Sequence, residues 1–510
     1  MLRSACVLVA VGCALGACDR AGPGGGSGGP ASGSVGGSEA TPDVVIAAAE
    51  GVSRPPFVFG PADEAMLEEI SRAAFGYFWS DVHPETGMVR DRSSAEVVSV
   101  AGVGFQLSAL VVGAERGWVS REDAEGRARL ILSSLANAPE NRRWGLFFHY
   151  LDGETGGPSR EGYETVVSTI DSALLFAGMA TASSYFGGEV AALADAMLEA
   201  ADWRAFLVVG PSGEADDVYI SLGWKASDGA DPGGDGELLP FAWVDAGAEH
   251  RLVTFLAVGA QEGRDLDPRQ YYRLRRTLGM VEGVGPVVWF PWSGALFTSF
   301  FSHCWIDYAH MGADDPASLG VERRASVDWW ENSRRLALMH RNAAIENPEG
   351  FATVGPDSWG VGASDGPTGY HVAHLFPEPM EMPGSIVEVD FPPQRPDDNW
   401  MDGTIAPYAA GSCIMFTPAE SVAALRHYRS LRGDDGEPLV WRGPEAGGFG
   451  FLDAFNLDAG WVAPDYVAID QGPLLLGIEN ARSGLLWRVF HGHPVAARAV
   501  SRLGMRTEAE

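Results

Sequence analysis

Five acidic residues stand in sequence contexts suited to work on a sugar: Asp171, Glu249, Asp307, Asp365 and Asp402. Four of them lie near a tryptophan, in the order Trp243 and Glu249, Trp305 and Asp307, Trp359 and Asp365, Trp400 and Asp402. Flat apolar rings bind the C–H faces of sugars, and carboxylates take the hydroxyls. Two carboxyl groups are also what glycosidic bond cleavage needs. One gives a proton to the leaving oxygen, and the other activates water or attacks the sugar carbon. The donor must keep its proton near neutral pH, which partial burial achieves. Any one of the 16 Trp residues reads as core when taken singly, and only the recurring Trp–acid pairing points to a binding surface. Spacing does not choose the working pair among the five acids.

The run from Glu164 to Gly178 is expected to be a helix, with Glu164 and Asp171 two turns apart on one face and Ser168 between them. Asp171 is flanked by Ile170, Ala173 and Leu174, so it is expected to be partly buried, where an unpaired carboxylate is costly. It either bonds a neighbouring helix or lines a cleft. Glu249 precedes the apolar stripe Leu252, Val253, Phe255 and Leu256; it either stabilises a helix start or projects from it into the cleft. His149 and His303 stand alone among aromatics, which favours a core or sugar-binding role over metal ligation. The sequence has no Gly-x-Ser-x-Gly, no phosphate-binding loop and no dinucleotide-binding glycine turn. Neither a metal nor an organic cofactor is expected.

The elements that must position these residues read as helices. Met66, Leu67, Ile70, Ala73, Ala74, Tyr77 and Phe78 recur at helical spacing, as do Val190, Leu193, Met197, Leu198 and Ala201. Ser120 with Asp123, and Thr417-Pro418 with Glu420, mark helix starts, the latter as a capping box. Long loops rich in Gly, Pro and aromatics separate the helices, at 355–370, 392–407 and 441–453, and Val218–Leu222 is a possible strand. Loops of such length inside a compact domain are often functional. The expected fold is all-α, a ring of helical hairpins with the loops gathered at one end, forming one domain over residues 61–503 with a short tail at 504–510.

The first residues have the layout of an export signal: Arg3, an apolar run from Ala5 to Leu15, then Leu15-Gly16-Ala17-Cys18. The Leu-x-x-Cys ending resembles a bacterial lipobox, which predicts lipid attachment at Cys18 and a membrane-anchored protein facing the periplasm or cell surface. A tether rich in Gly, Ser and Pro follows, assigned to residues 19–60. A net charge of -32 makes nucleic acid a poor partner. Membrane contact is expected through the lipid alone. Beyond the leader only Cys304 and Cys413 remain, enough for one disulfide at most. A monomer is expected.

An ordered set of segments resembles the glycoamylase-like family of bacterial proteins, close to glycoside hydrolase family 144. It begins with Tyr77-Phe78-Trp79, Asp91-Arg92, Gly104-Phe105 and Glu115-Arg116-Gly117-Trp118. It continues with Gly145 to Tyr150, Ser168 to Leu175, Ser302 to Asp307, and Asn332-Ser333-Arg334. Trp359 to Pro367, Asp402-Gly403-Thr404, Phe416-Thr417-Pro418, Gly448 to Asn456, Ile469 to Pro473 and Glu479-Asn480 complete it. The resemblance implies an (α/α)6 toroid and inverting, endo-acting hydrolysis of β-1,2-glucan. It implies that Asp171 and Glu249 are the acidic residues of the cleft, and that Arg92, His149, His303, Asp307, Asp365 and Asp402 form its sugar-binding ring.

These readings combine into one expectation. Glu249 is the general acid, and Asp171 the second essential carboxylate, as base or as organiser of the water. Trp243, Trp305 and Trp400 stack on sugar, and Glu164 joins the binding residues. A non-catalytic lipoprotein that captures oligosaccharides for uptake would use the same aromatics and the same anchor without a proton donor. A polysaccharide lyase is a third option, poorly served by so acidic a chain.

Overall fold

Two kinds of helix alternate along the chain, and burial separates them. The computed structural model describes residues 45–159, 166–210, 217–227, 233–321, 324–380 and 394–506. Its longer helices are α1 (Pro61–Ser80), α2 (Val100–Glu115), α3 (Arg121–Asn137), α4 (Thr169–Phe186), α5 (Gly188–Ala200), α6 (Ala248–Gly259), α7 (Trp329–Glu346), α8 (Pro407–Ser412), α9 (Pro418–Ser430), α10 (Ala468–Ser483), α11 (Leu485–His491) and α12 (Pro494–Leu503). In α2 every residue from Val100 to Gly113 is buried, and in α4 every residue from Thr169 to Ser183. A helix buried all round belongs inside a fold. In α3 only Ala124, Ala128, Ile131, Leu132 and Leu135 are buried, a single stripe at helical spacing that marks a peripheral helix.

The buried helices form an inner ring. α6 packs on α4, α4 on α2, α2 on α10 and α10 on α8, while the turns Phe297–Phe300 and Phe301–Cys304 close the circle by touching α6 and α10. The approach of α2 to α4 is the tightest. A Cβ on Gly104 would lie 2.2 Å from the Leu174 carbonyl oxygen, and one on Gly178 would lie 2.1 Å from that of Gly104. Around this ring sit α1 against α2, α3 against α2, α5 against α4, α12 against α6, α9 against α8, and α7 against Phe297–Phe300. This is the (α/α)6 toroid expected from the sequence.

Chain direction decides where the loops go. Central helices α2, α4, α6, α8 and α10 each begin after a long connection, at 81–99, 138–168, 201–247, 347–406 and 431–467. The returns at the far end are short: 116–120 after α2, and Gly187 after α4. Long loops and the amino ends of the inner helices therefore share one mouth. The strands among them are short and lie in two- and three-stranded sheets, including Val218–Ile220 near the expected position.

Several expectations need correction. The helix expected from Glu164 starts at Thr169, because Val166–Ser168 is a strand paired with Gly223–Ala226. Glu164 and Cys18 lie outside the described residues. The domain begins before residue 61. Val45–Ile46 pairs with Ser326–Val327, and the Arg54 guanidinium bonds the Asp328 carboxylate, so 45–60 belongs to the body rather than to a tether. Thr417 precedes α9 as expected but makes no capping bond; its hydroxyl turns back to the Cys413 carbonyl at 3.2 Å. Ser120 does cap α3, accepting from the Asp123 amide. Cys304 and Cys413 are buried free thiols, not a disulfide. Among the described residues no helix is long and apolar enough to cross a membrane.

Candidate active site

Three central helices carry an acid in the first turn at the mouth: Asp171 in α4, Glu249 in α6 and Asp470 in α10. Amides at a helix start favour a charged carboxylate, whereas burial opposes it. For Glu249, 8% exposed, burial wins. Its carboxyl is pushed up to about 8, first by loss of water and then by the negative charge of Asp171. Asp171 sits on a firm base, with its amide donating to Ser168 Oγ at 3.3 Å. His149 Nε2 lies 3.5 Å from Asp171 Oδ1, and its ring stacks on Tyr150 with 3.9 Å between centres. Asp91 is buried beside them. Burial raises its carboxyl, Asp171 adds to the rise, and Arg92, His149 and the Ser99 hydroxyl oppose it.

Arg92 ties this wall to the next. One guanidinium nitrogen donates to both Asp365 oxygens at 3.0 and 3.2 Å and to Asp465 at 3.4 Å. The hydroxyls of Ser93 and Ser94 donate to Asp465 at 2.9 and 2.7 Å. The Asp365 amide donates to Asp453 Oδ2 at 2.8 Å. Asp453 and Asp470 are buried together. Burial pushes Asp453 up to about 6 and Asp470 well above the usual carboxylate range, and the charge of Asp453 adds to the rise at Asp470. Such a pair holds a proton between its members.

Farther along the same loops, Ala363–Ser364 pairs with His371–Val372. His371 Nε2 stands 3.7 Å from Asp402 Oδ1, and its ring meets Trp400 edge to face at 5.2 Å. Trp400 is 46% exposed, free to present ring surface to a ligand. Trp243 is buried. Its indole N–H donates to Thr169 Oγ1 at 2.8 Å, which fastens the loop before Glu249 to the start of α4. It positions the two acids rather than offering a platform.

The structure thus brings Arg92, His149, Asp171, Glu249 and Asp365 into one continuous set, with Asp402 and Trp400 on the adjoining rim. Three expected binding residues are elsewhere. His303 and Trp305 are 0% exposed. The His303 ring bonds the Ser333 hydroxyl at 3.0 Å, and the Trp305 indole donates to Ser108 at 2.9 Å and packs on Phe105. Both fill the middle of the toroid, as their apolar neighbours on the closing turns require. Asp307 pairs with His310 at 2.8 Å, and its amide reaches His491 in α11 at the end opposite the mouth. Trp359 is core as well. Reading Trp–acid pairs missed Asp91, Asp453 and Asp470, which have no Trp close before them, and also Asp465, although it follows Trp461 by four residues. For Asp453 and Asp470 the signal is an acid set in an apolar run, as in Phe451-Leu452-Asp453-Ala454 and Val467-Ala468-Ile469-Asp470. Among the described residues no group of three or more His, Cys, Asp and Glu side chains is arranged to hold a metal ion.

Residues 241–494 match the family model described as "Putative glucoamylase", and residues 69–143 match that of a protein family of unknown function (DUF3131). The chain is 27% identical over 482 residues to an exo β-1,2-glucooligosaccharide sophorohydrolase (non-reducing end) of Parabacteroides distasonis, covering 86% of this chain and 58% of that protein. It therefore spans little more than half the length of this curated relative. A Bacteroides uniformis protein solved as a glucoamylase of the same description superposes with a TM-score of 0.70 at 26% identity, covering 88% of this chain and 99% of that one. The endo-β-1,2-glucanase of Chitinophaga pinensis, solved with sophorotriose and glucose, gives a TM-score of 0.69 at 25% identity, covering 87% and 98%. The chain carries a glucoamylase-like domain on an (α/α)6 toroid.

Proposed function

We propose that this chain is a glycoside hydrolase that cleaves β-linked glucan, β-1,2-glucan foremost, with inversion at the anomeric carbon. The observation that carries the reading is the placement of Glu249: a buried carboxyl at the start of a central helix, at the mouth of the toroid, held protonated beside the charge of Asp171. The relatives that act on β-1,2-linked glucans supply the linkage. In this reading Glu249 gives its proton to the glycosidic oxygen as the bond from that oxygen to C1 breaks. Water adds to C1 from the opposite face, and its proton passes to a carboxylate of the cleft. Asp171 is the second essential carboxylate, keeping Glu249 protonated and orienting or deprotonating the water. Arg92, Asp365 and His149 hold sugar hydroxyls, and Trp400 with Asp402 extends the contact along the rim. A lipid on Cys18 would anchor the enzyme outside the cytoplasm, where a polymer can reach it, and the domain acts as a monomer.

The test uses the protein and its Glu249→Gln variant on β-1,2-, β-1,3-, β-1,4-, β-1,6- and α-1,4-glucans, following new reducing ends and product sizes. Oligosaccharides from a β-glucan, lost in the variant, are expected. Binding of glucan by folded protein with no turnover would favour a capture protein instead. Radiolabelled fatty acid incorporated by the full chain and lost in Cys18→Ala tests the anchor.

A further inference from the structure

We propose that Trp144 is the platform of an outer binding site for neutral glucan chains, on the rim beyond the catalytic cleft. The inference rests on the reading of the chain as a glucan hydrolase and extends it to where a polymer longer than the cleft would lie.

Trp144 sits at the tip of the hairpin formed by Arg142–Arg143 and Leu146–Phe147, with φ at +48°. A bulky side chain in the left-handed region is strained, and such strain persists only where the surroundings hold it and tends to mark functional positions. Here the surroundings hold it from two sides. The next residue, Gly145, has φ +85°, and a Cβ there would lie 2.4 Å from the Ala200 carbonyl oxygen. The Asp202 amide donates to the Trp144 carbonyl at 2.8 Å. The turn is clamped against the end of α5 and has no room to relax.

The indole is fixed as firmly as its backbone. The Arg143 guanidinium lies 4.6 Å from the Trp144 ring centre and 4.2 Å from that of Trp224, so one cation bridges two indoles. Phe206 meets the Trp144 ring at right angles, 5.4 Å between centres. Arg143 is itself held by a bond to the Gly234 carbonyl at 3.2 Å. Even so, Trp144 is 40% exposed. Burying this ring would have been the cheaper use of so much support. A rigid, exposed aromatic loses little conformational freedom when it binds, which makes it an efficient anchor.

The occupant follows from chemistry and position. An indole with a guanidinium beside it offers a stacking face and hydrogen-bond donors, the complement of a sugar's C–H face and hydroxyls. The chain's net charge of -32 disfavours anionic ligands. The hairpin strand Leu146–Phe147 runs directly into His149, which touches Asp171. On the other side, Trp224 belongs to Gly223–Ala226, which pairs with Val166–Ser168; Ser168 then caps α4 three residues before Asp171. Both routes from Trp144 lead through short strands to the first turn of α4 and Asp171, which places the hairpin at the mouth end of the toroid.

The test compares wild type, Trp144→Ala and Trp144→Tyr on polymeric β-1,2-glucan and on sophorotriose. In parallel, retardation in gels containing the polymer is read in a Glu249→Gln background, so that binding is measured without turnover. Trp144→Ala is expected to raise KM on polymer by roughly five- to tenfold, the size of one lost aromatic contact. On the trisaccharide KM and kcat should stay within about twofold of wild type, and Tyr should restore most of the loss. Retardation should weaken in parallel. Unchanged KM on polymer, or an equal loss on both substrates, overturns the platform. If wild type cleaves nothing but is retarded through Trp144, the proposed activity fails and the platform stands. If it neither cleaves nor binds glucan, both fail.

Discussion

Asp171 and Glu249 occupy the first turns of neighbouring central helices, α4 and α6, and the charge of the first helps to keep the proton on the second. The toroid makes this pairing possible, because inner helices that all start at one end bring their first turns together. A proton donor for neutral pH thus needs only two acids at equivalent helix positions and little water.

The relation gives a direct expectation for pH dependence. As the proposed general acid Glu249 must be protonated to act, so kcat/KM should fall as pH rises through about 8. Asp171→Asn removes a charge that raises the Glu249 carboxyl. The alkaline limb of the profile should then move to lower pH, alongside any loss of rate. Profiles of kcat/KM between pH 5 and pH 10, expressed as roughly that range around the optimum of a tuned acid, decide it. An alkaline limb that stays in place in the variant would separate the two residues.

The same carboxyl leaves a mark on stability. Its value is raised from 4.5 to about 8 in the folded protein. Between those values the folded state holds a proton that the unfolded chain has released. The contribution is full below about pH 4.5 and is lost as pH rises toward 8. Glu249→Gln cannot titrate, so the variant should gain on wild type as pH rises through that window. Urea midpoints at the two ends of the window measure it. Activity should meanwhile fall by about 10²–10⁴-fold, the usual contribution of a general acid.

Much of this arrangement was readable before any coordinates. Periodicity located α1, α5 and α6, and the ordered motifs implied the toroid. The helix expected to run from Glu164 misled, because the apolar Val166 and Val167 serve equally as a buried strand, which period alone does not distinguish. Trp243, Trp305 and Trp359 were drawn toward a surface role by nearby acids, yet adjacency in sequence says nothing about which side of an inner helix or loop a ring faces. Asp453 and Asp470 have no tryptophan close before them. They become visible only when the 431–467 loop returns beside α10 and buries them together.

Arg92 offers a third expectation. It is the cation facing Asp365 and Asp465, and all three side chains are mostly buried. Arg92→Met would leave two carboxylates in poor water without their partner. Breaking such a set costs roughly 3–5 kcal/mol. The variant should unfold at clearly lower urea and lose glucan turnover. Arg92→Lys keeps the charge but not the guanidinium whose one nitrogen reaches both acids, so it should recover part of the stability and less of the activity. Equal stability of Met and Arg at this position would remove the ion-pair role.

Trp305 and Trp400 divide the two roles a tryptophan can play here. Trp305→Phe keeps most of the ring volume but loses the indole bond to Ser108. It should lower stability by about 1–2 kcal/mol, the cost of one buried hydrogen bond and a small void, and leave KM unchanged. Trp400→Ala removes an exposed ring beside His371 and Asp402. It should leave the melting temperature within a degree or so, as exposed sites generally do, and raise KM several-fold. Melting curves and KM on the same glucan separate the pair. A KM change in Trp305→Phe with no loss of stability would return that residue to the binding surface from which its burial removes it.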